Sequence, residues 1–379
     1  MTVLTADHRA YLSEVEAVTA SFDEQAYTWE GALPRDNIRA LADAGVYCPS
    51  IAAEYGGGGH SDLHAILLSE AVARACPDTG WYTYLQCMVG PKAIDLFGSD
   101  EVKSSYLPGV TAGEDIISIA ISEPDAGSDV KSMQTTVTDT DDGLTVSGEK
   151  MWVGGVPYAT AAVTWVKFDE GLGSVVLPMD DPGVSVIEEY ENSAGYIQTH
   201  FQIDDVRIPE SHVLTRGREA FKQQLISLNW ERLGASAVSL GWAVAALEQA
   251  LRYSQQREQF GGPLTDKQGI QWKLAEMYRQ IETTAATIYA AAASPDGSAV
   301  IPDRIQTSVA KLQSSQIVEE VVSEAVQLVG ARAFQQGHDL EYLYRLARGR
   351  RIAAGTDEMM LNTVARALLR DGVPGMETR

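Results

Sequence analysis

Residues 228–251 read Leu-Asn-Trp-Glu-Arg-Leu-Gly-Ala-Ser-Ala-Val-Ser-Leu-Gly-Trp-Ala-Val-Ala-Ala-Leu-Glu-Gln-Ala-Leu, and their apolar spacing decides the architecture. Leu233, Ala237, Leu240, Val244, Leu247 and Leu251 follow at intervals of four, three, four, three and four. That period draws one stripe along a long α-helix. Such a stripe needs partners, and three more stripes supply them. Leu274, Met277, Ile281 and Ile288 form the second, Val309, Leu312 and the run up to Leu328 the third, and Met359 to Leu369 the fourth. Four amphipathic helices predict a bundle over residues 216–379. Ser294-Pro-Asp-Gly-Ser298 reads as the loop between the second and third.

Upstream the period shortens. Over residues 116–215, Leu144-Thr-Val146, Val163 to Phe168, Ser174 to Leu177, Val184 to Val186 and Phe201 to Ile203 are short and β-branched or aromatic. Asp141-Asp-Gly143, Glu170-Gly171, Asp181-Pro-Gly183 and Asp204-Asp205 punctuate them as turn signals. The pattern predicts a small antiparallel barrel or sandwich. Residues 1–115 return to helical spacing, as in Ile38 to Val46 with Gly45 as a stop, and in Leu63 to Ala75. Glu54-Tyr55 and the glycines 56 to 59 read as a loop between them. The expected fold is thus α+β in three parts: an N-terminal helical domain, a middle β domain and a C-terminal four-helix bundle.

Composition narrows the function. The 379 residues carry 52 acidic and 29 basic side chains, a net charge of −23. Such a surface repels phosphate backbones and anionic membranes, which argues against nucleic acid as a partner class. No apolar run reaches the roughly 20 residues that a membrane span needs. Residues 1–10 include Asp7, His8 and Arg9 and lack an apolar signal core. Cys48, Cys76 and Cys87 are odd in number and widely spaced, so they suggest a reducing cytoplasm rather than a disulfide framework or a zinc site. The six histidines are expected to be surface or hydrogen-bonded side chains, with no metal bound.

Five short motifs make the three-part reading specific. They are Ile119-Ala-Ile-Ser-Glu-Pro-Asp-Ala-Gly-Ser128-Asp, Gly148-Glu-Lys-Met-Trp152, Arg257-Glu-Gln-Phe260-Gly261 with Gln268 beyond it, Gln327-Leu-Val-Gly330, and Ala354-Gly-Thr-Asp-Glu358. In order and spacing the set resembles the acyl-CoA dehydrogenase family over essentially the whole chain. The resemblance implies FAD. Ile119, Ile121, Ser122, Gly127 and Ser128 then fall against the isoalloxazine ring and pyrophosphate, and Trp152 covers the ring. Arg257, Gln259, Phe260, Gln268, Gln327 and Gly330 would reach the adenine end of a flavin held by a neighbouring subunit, so a homo-oligomer, dimer or tetramer, is implied. Thr356 and Glu358 join the flavin-binding set. Two positions depart from the family pattern. Gly154 replaces a Thr or Ser that often hydrogen-bonds the ring, and Ala331 replaces a second Gly.

A third departure concerns the chemistry. Dehydrogenation of an acyl thioester removes an α-proton while a hydride leaves the β-carbon for flavin N5. A carboxylate in a dry site suits the proton step. Many family members carry that glutamate just before Gly-Thr or Gly-Ser, where this chain has Ala354. Others, isovaleryl-CoA dehydrogenase among them, keep it in Leu-x-x-Glu-Arg-Leu, which Leu228-Asn-Trp-Glu231-Arg-Leu233 matches. The resemblance therefore assigns the base to Glu231 and leaves the Ala354 backbone N–H to polarise the thioester oxygen. Leu228 is expected to open the long helix, placing Glu231 in its first turns. A carboxylate favoured there by the helix dipole, or paired with Arg232, is the competing account. Asn229, Arg232, Gly355 and Ser128 match positions that contact the acyl-CoA.

The implied activity is α,β-dehydrogenation of an acyl-CoA with a short, branched or unusual acyl group, with electrons passing to an electron-transfer flavoprotein. Three alternatives stay open: a dehydrogenase of carrier-protein-bound acyl or aminoacyl thioesters, one subunit of a heteromeric dehydrogenase, and a relative turned lyase or monooxygenase.

Overall fold

The computed structural model describes residues 4–22, 31–140, 143–293 and 301–373. The Ser294–Ser298 loop and residues 141 and 142 of the Asp141-Asp-Gly143 turn lie outside them. Six helices come first: α1 (Ala6–Thr19), α2 (Arg35–Asp43), α3 (Asp62–Ala75), α4 (Pro77–Met88), α5 (Gly90–Phe97) and α6 (Asp100–Thr111). Cys76 separates α3 from α4 by leaving helical dihedrals, and Pro77 starts α4 where its missing N–H costs nothing. Eight strands follow: β1 (Ile116–Ala120), β2 (Thr136–Thr140), β3 (Gly143–Gly154), β4 (Ala159–Phe168), β5 (Gly171–Pro178), β6 (Val184–Glu191), β7 (Ile197–Ile208) and β8 (Val213–Thr215). The chain then forms α7 (Ala220–Gln256), a two-stranded hairpin of β9 (Glu258–Gln259) and β10 (Gly262–Pro263), α8 (Gln268–Ala292), α9 (Arg304–Val329), α10 (Asp339–Gly349) and α11 (Asp357–Asp371).

The middle strands form one eight-stranded sheet ordered β6-β7-β3-β2-β4-β5-β8, with β1 also on β4. The β-rich middle is as expected, but its pairing is not purely antiparallel. Both β1 and β2 run parallel to β4. Strand β1 is apolar but for Ser118 and nearly buried throughout, which hides the alternation that marks an antiparallel strand. Asp204-Asp205 is not a turn either. It lies within β7, where the register with β3 slips between Val146 and Gly148 and Asp205 has φ of +50°. The pair makes a β-bulge, and an aspartate tolerates that left-handed backbone better than most residues.

Helix α7 departs from its predicted single stripe. From Asn229 to Ala243 it is buried on every face. Its small residues admit the N-terminal helices closely. A Cβ on Gly241 would lie 2.4 Å from the Glu70 carbonyl oxygen of α3, and one on Gly234 would lie 2.9 Å from Met88 of α4. Beyond that span, Leu251 is 38% exposed. One apolar core joins the helices of both ends of the chain to β1 and β4, and a second lies within the sheet.

The fold brings together two sets of side chains that lie apart in the sequence. His60 and His64 stand four apart at the start of α3, and the fold stacks His8 and His60 on His64 at 4.6 and 4.7 Å. Asp7 joins them, so three possible ligand atoms lie within 4.8 Å of one another. The His64 ring already meets the Asp7 carboxylate at 3.1 Å and the Ser61 hydroxyl at 2.9 Å. Cys48 and Cys87, far apart in sequence, bring their thiols to 3.5 Å in the core, both free. No helix among the described residues is long and apolar enough to cross a membrane.

Candidate functional site

Glu231 lies about three turns into α7, because the helix begins at Ala220 rather than at Leu228. The helix dipole has faded at that depth, so its environment is set by burial. The residue is 9% exposed, and its Oε2 has no hydrogen-bond partner. Burial pushes its carboxyl up to about 7, although Arg232 and Arg350 both pull it down. A carboxylate in this state is poised to accept a proton near neutral pH.

Arg232, the next residue, ties α7 to the turn before α11. Its Nε donates to the Ala354 carbonyl at 3.1 Å, and its Nη1 donates to Asn229 Oδ1 at 3.0 Å. Ala354 holds φ at +59°, a left-handed backbone, and Gly355 follows at +95°. A Cβ on Gly355 would stand 3.3 Å from Arg232 Nη2. The Ala354 N–H donates to no backbone carbonyl among the described residues. Thr356 caps α11 by accepting from the Met359 N–H at 3.3 Å, while Glu358 is exposed. Next to the cap, buried Asp357 accepts from Ser315 and Arg351, each at 2.7 Å. Lys311 Nζ stands 3.4 Å from Asp357. Burial, then the nearby Arg350, lower the Lys311 amine to about 8.

The 119–154 residues gather where β1 leaves the sheet. Glu123 anchors them: its carboxylate accepts from the Gln134 and Thr135 N–H groups at 2.5 and 3.0 Å and from Lys150 Nζ at 2.8 Å. Lys150 is wholly buried and also donates to the Ile121 carbonyl at 3.2 Å. The Ser122 carbonyl accepts from the Met151 N–H at 2.9 Å, which fastens the loop to β3. Beyond the anchor, Gly127 and Ser128 are exposed, and a Cβ on Gly127 would meet nothing. Trp152 sits on a bulge of β3 at φ +62°, half exposed, with its ring 5.0 Å from that of Tyr190. Gly154 likewise faces open space, and its carbonyl accepts from Ser118. A half-exposed ring two residues from a glycine that faces open space suits a planar ligand, so these residues fit a flavin.

The remaining predicted residues stand apart from both groups. Arg257, Gln259 and Phe260 occupy the β9–β10 hairpin, and Gln268 begins α8. Phe260 is 94% exposed at φ +52°. Gln327 is exposed near the end of α9, and Gly330 terminates that helix at φ +74°.

Sequence reading missed Arg350. It is 2% exposed, and its guanidinium lies 5.0 Å over the Trp81 ring, 5.8 Å from Tyr84 and 5.9 Å from Trp242. The run Arg348-Gly-Arg-Arg351 beside Ala354 was the available signal, but such a run ordinarily marks a solvated surface.

Comparison with known proteins gives the family. Residues 5–114, 118–206 and 216–369 match the models of the acyl-CoA dehydrogenase N-terminal, middle and C-terminal domains. A probable acyl-CoA dehydrogenase of Bacillus subtilis is 30% identical, over 90% of this chain and 91% of that one. A 3-sulfinopropanoyl-CoA desulfinase of Advenella mimigardefordensis is also 30% identical, over 94% and 90% of the two chains. The solved structure of a glutaryl-coenzyme A dehydrogenase with glutaryl-CoA superposes with a TM-score of 0.91 at 25% identity, over 97% of this chain and 96% of that one. The chain belongs to the acyl-CoA dehydrogenases, a family of FAD-dependent oxidoreductases.

Proposed function

We propose that this protein carries out α,β-dehydrogenation of an acyl-CoA thioester with Glu231 as the base. One observation carries the reading: a buried, unpaired carboxylate, raised to about 7, beside an arginine bonded to the Ala354 carbonyl. Ala354 itself cannot take a proton.

On this reading each residue has a stated role. Glu231 Oε2 accepts the α-proton, and burial then favours the neutral acid. The Ala354 N–H donates to the thioester oxygen as enolate charge develops there. Arg232 holds that turn through the Ala354 carbonyl, and with Asn229, Gly355 and Ser128 it lines the acyl-CoA path. Ile119, Ile121, Ser122, Gly127, Ser128, Trp152, Gly154, Thr356 and Glu358 hold the FAD of the same chain. Bound FAD supplies the hydride acceptor, and an electron-transfer flavoprotein then takes the electrons. Arg257, Gln259, Phe260, Gln268, Gln327 and Gly330 serve the FAD of a neighbouring copy. The exposure of Phe260, and of Trp272 at 65% and Phe334 at 80%, supports a homo-oligomer. The acyl group is short, branched or otherwise unusual.

Anaerobic titration of the purified flavoprotein with acyl-CoAs of differing length, branching and polarity tests this. Bleaching of the flavin by at least one thioester is expected. A flavin that no thioester bleaches would overturn the proposal.

A further inference from the structure

Arg350 is a buried cation whose donors are not used up. Its Nε and Nη1 have no hydrogen-bond partner, and Oε2 of Glu231 has none either. The two groups interact electrostatically, yet no ion pair joins them among the described residues. Burying such donors and acceptors unmet is costly, and a fold ordinarily closes them on each other. Leaving both open beside the base suits a ligand that brings its own acceptor.

The surroundings favour an anion. Trp81, Tyr84 and Trp242 lie within 5.9 Å of the guanidinium, and their apolar rings strengthen any charge–charge contact made there. Lys311 and Arg232 add positive charge to the same buried neighbourhood, since Arg350 and Arg232 both act on the Lys311 amine. The anions are Glu231 and Asp357, and Asp357 is already engaged by Lys311, Ser315 and Arg351. Three buried cations, Arg232, Lys311 and Arg350, therefore face two buried carboxylates. Tyr84 shares a side-chain hydrogen bond with Arg350, so a neutral alkyl chain would leave only Nε and Nη1 unmet, whereas a carboxylate would satisfy both with charge-assisted hydrogen bonds.

Resting on the dehydrogenase reading above, we propose that Arg350 recognises an anionic group on the acyl chain, and that the substrates are carboxyacyl thioesters rather than simple fatty acyl thioesters. The carboxylate meets Arg350 while the α-carbon faces Glu231.

The test compares pairs of equal carbon count: succinyl-CoA against butyryl-CoA, and glutaryl-CoA against valeryl-CoA. Binding is measured by calorimetry on the intact flavoprotein, and bleaching is recorded in the same samples. The wild-type protein is expected to bind the carboxylated member of at least one pair about tenfold or more tightly. Arg350→Met should erase that preference while changing the affinity for the alkyl members less than about threefold. Arg350→Lys, which keeps the charge, should retain part of it. A wild-type protein that binds the alkyl members equally or better overturns the inference, whatever the variants do. An equal loss for both members in Arg350→Met also overturns it, because Arg350 would then serve only as a counter-charge to Glu231. If alkyl thioesters bleach the flavin without a carboxylate preference, the inference fails and the dehydrogenase reading stands. If nothing bleaches it, that reading fails.

Discussion

Replacing Glu231 by Gln keeps the shape of the side chain and removes its capacity to take a proton. In the folded protein burial raises the carboxyl to about 7, against an ordinary glutamate value of 4.5. The sign follows directly. The folded state holds this proton more tightly than the unfolded state, so deprotonation penalises the fold. The penalty is absent below the unfolded value, grows as pH rises between the two values, and is complete above about 7. Its full size is roughly 3 kcal/mol. A glutamine escapes it but buries an amide donor without a partner, which returns about 1 kcal/mol. Glu231→Gln should thus be more stable than wild type by about 2 kcal/mol at a pH near 8, with no gain near 4.5. Flavin reduction should slow by at least the roughly 10²- to 10⁴-fold typical of a lost general base. In the wild type the same rate should rise with pH through a midpoint about 7. Urea unfolding at the two pH values and anaerobic stopped-flow reduction check both arms. Fast flavin reduction in the variant would show that the base is elsewhere. A variant less stable at high pH would show that Glu231 is not a buried charge.

Ala354→Gly relieves a left-handed residue at φ +59° and should raise stability by about 0.5–1 kcal/mol in urea unfolding, with flavin reduction retained because the backbone N–H survives. Lys150→Met strands the Glu123 carboxylate in the interior and should cost roughly 3–5 kcal/mol, measured the same way on the flavin-loaded protein. Gly154→Ser places a hydroxyl in open space beside the proposed ring position, and it should tighten FAD by up to about tenfold in a flavin-release assay.

The helices were legible because their apolar period survives burial on one side. Val309 to Leu328 reads as a stripe and forms most of α9. Helix α10 was not anticipated: Leu340, Leu343 and Leu346 repeat over only 11 residues, too few to separate from a loop. Strand β1 escaped because its residues are buried without alternation. The candidate site was legible through its short motifs, at Gly127, Trp152 and the Ala354-Gly-Thr segment. Arg350 was not, since burial is a property of the whole packing. Only the approach of Trp81 and Tyr84 from α4 and Trp242 from α7 makes that arginine an interior residue. The start of α7 was misplaced for a related reason. Residues 220–228 carry Lys222, Gln223 and Gln224, which interrupt the stripe without breaking the helix.

On the proposed reading, with Glu231 as the base, the bond from Arg232 to the Ala354 carbonyl shows how a base could change its place in the chain without a change of fold. It brings α7 against the turn before α11, so two distant chain positions serve one small volume. A glutamate at 354 would have to hold a left-handed backbone, at a cost of roughly 1–2 kcal/mol, with its side chain on a turn between two helices. Position 231 lies in regular helix, packed on every side, which fixes a side chain more firmly than a turn does. Moving the carboxylate to α7 leaves the turn to position a backbone N–H. The residue there is Ala rather than Gly because its methyl packs on the main core. That contact offsets part of the strain, and it is why the gain expected from Ala354→Gly is small.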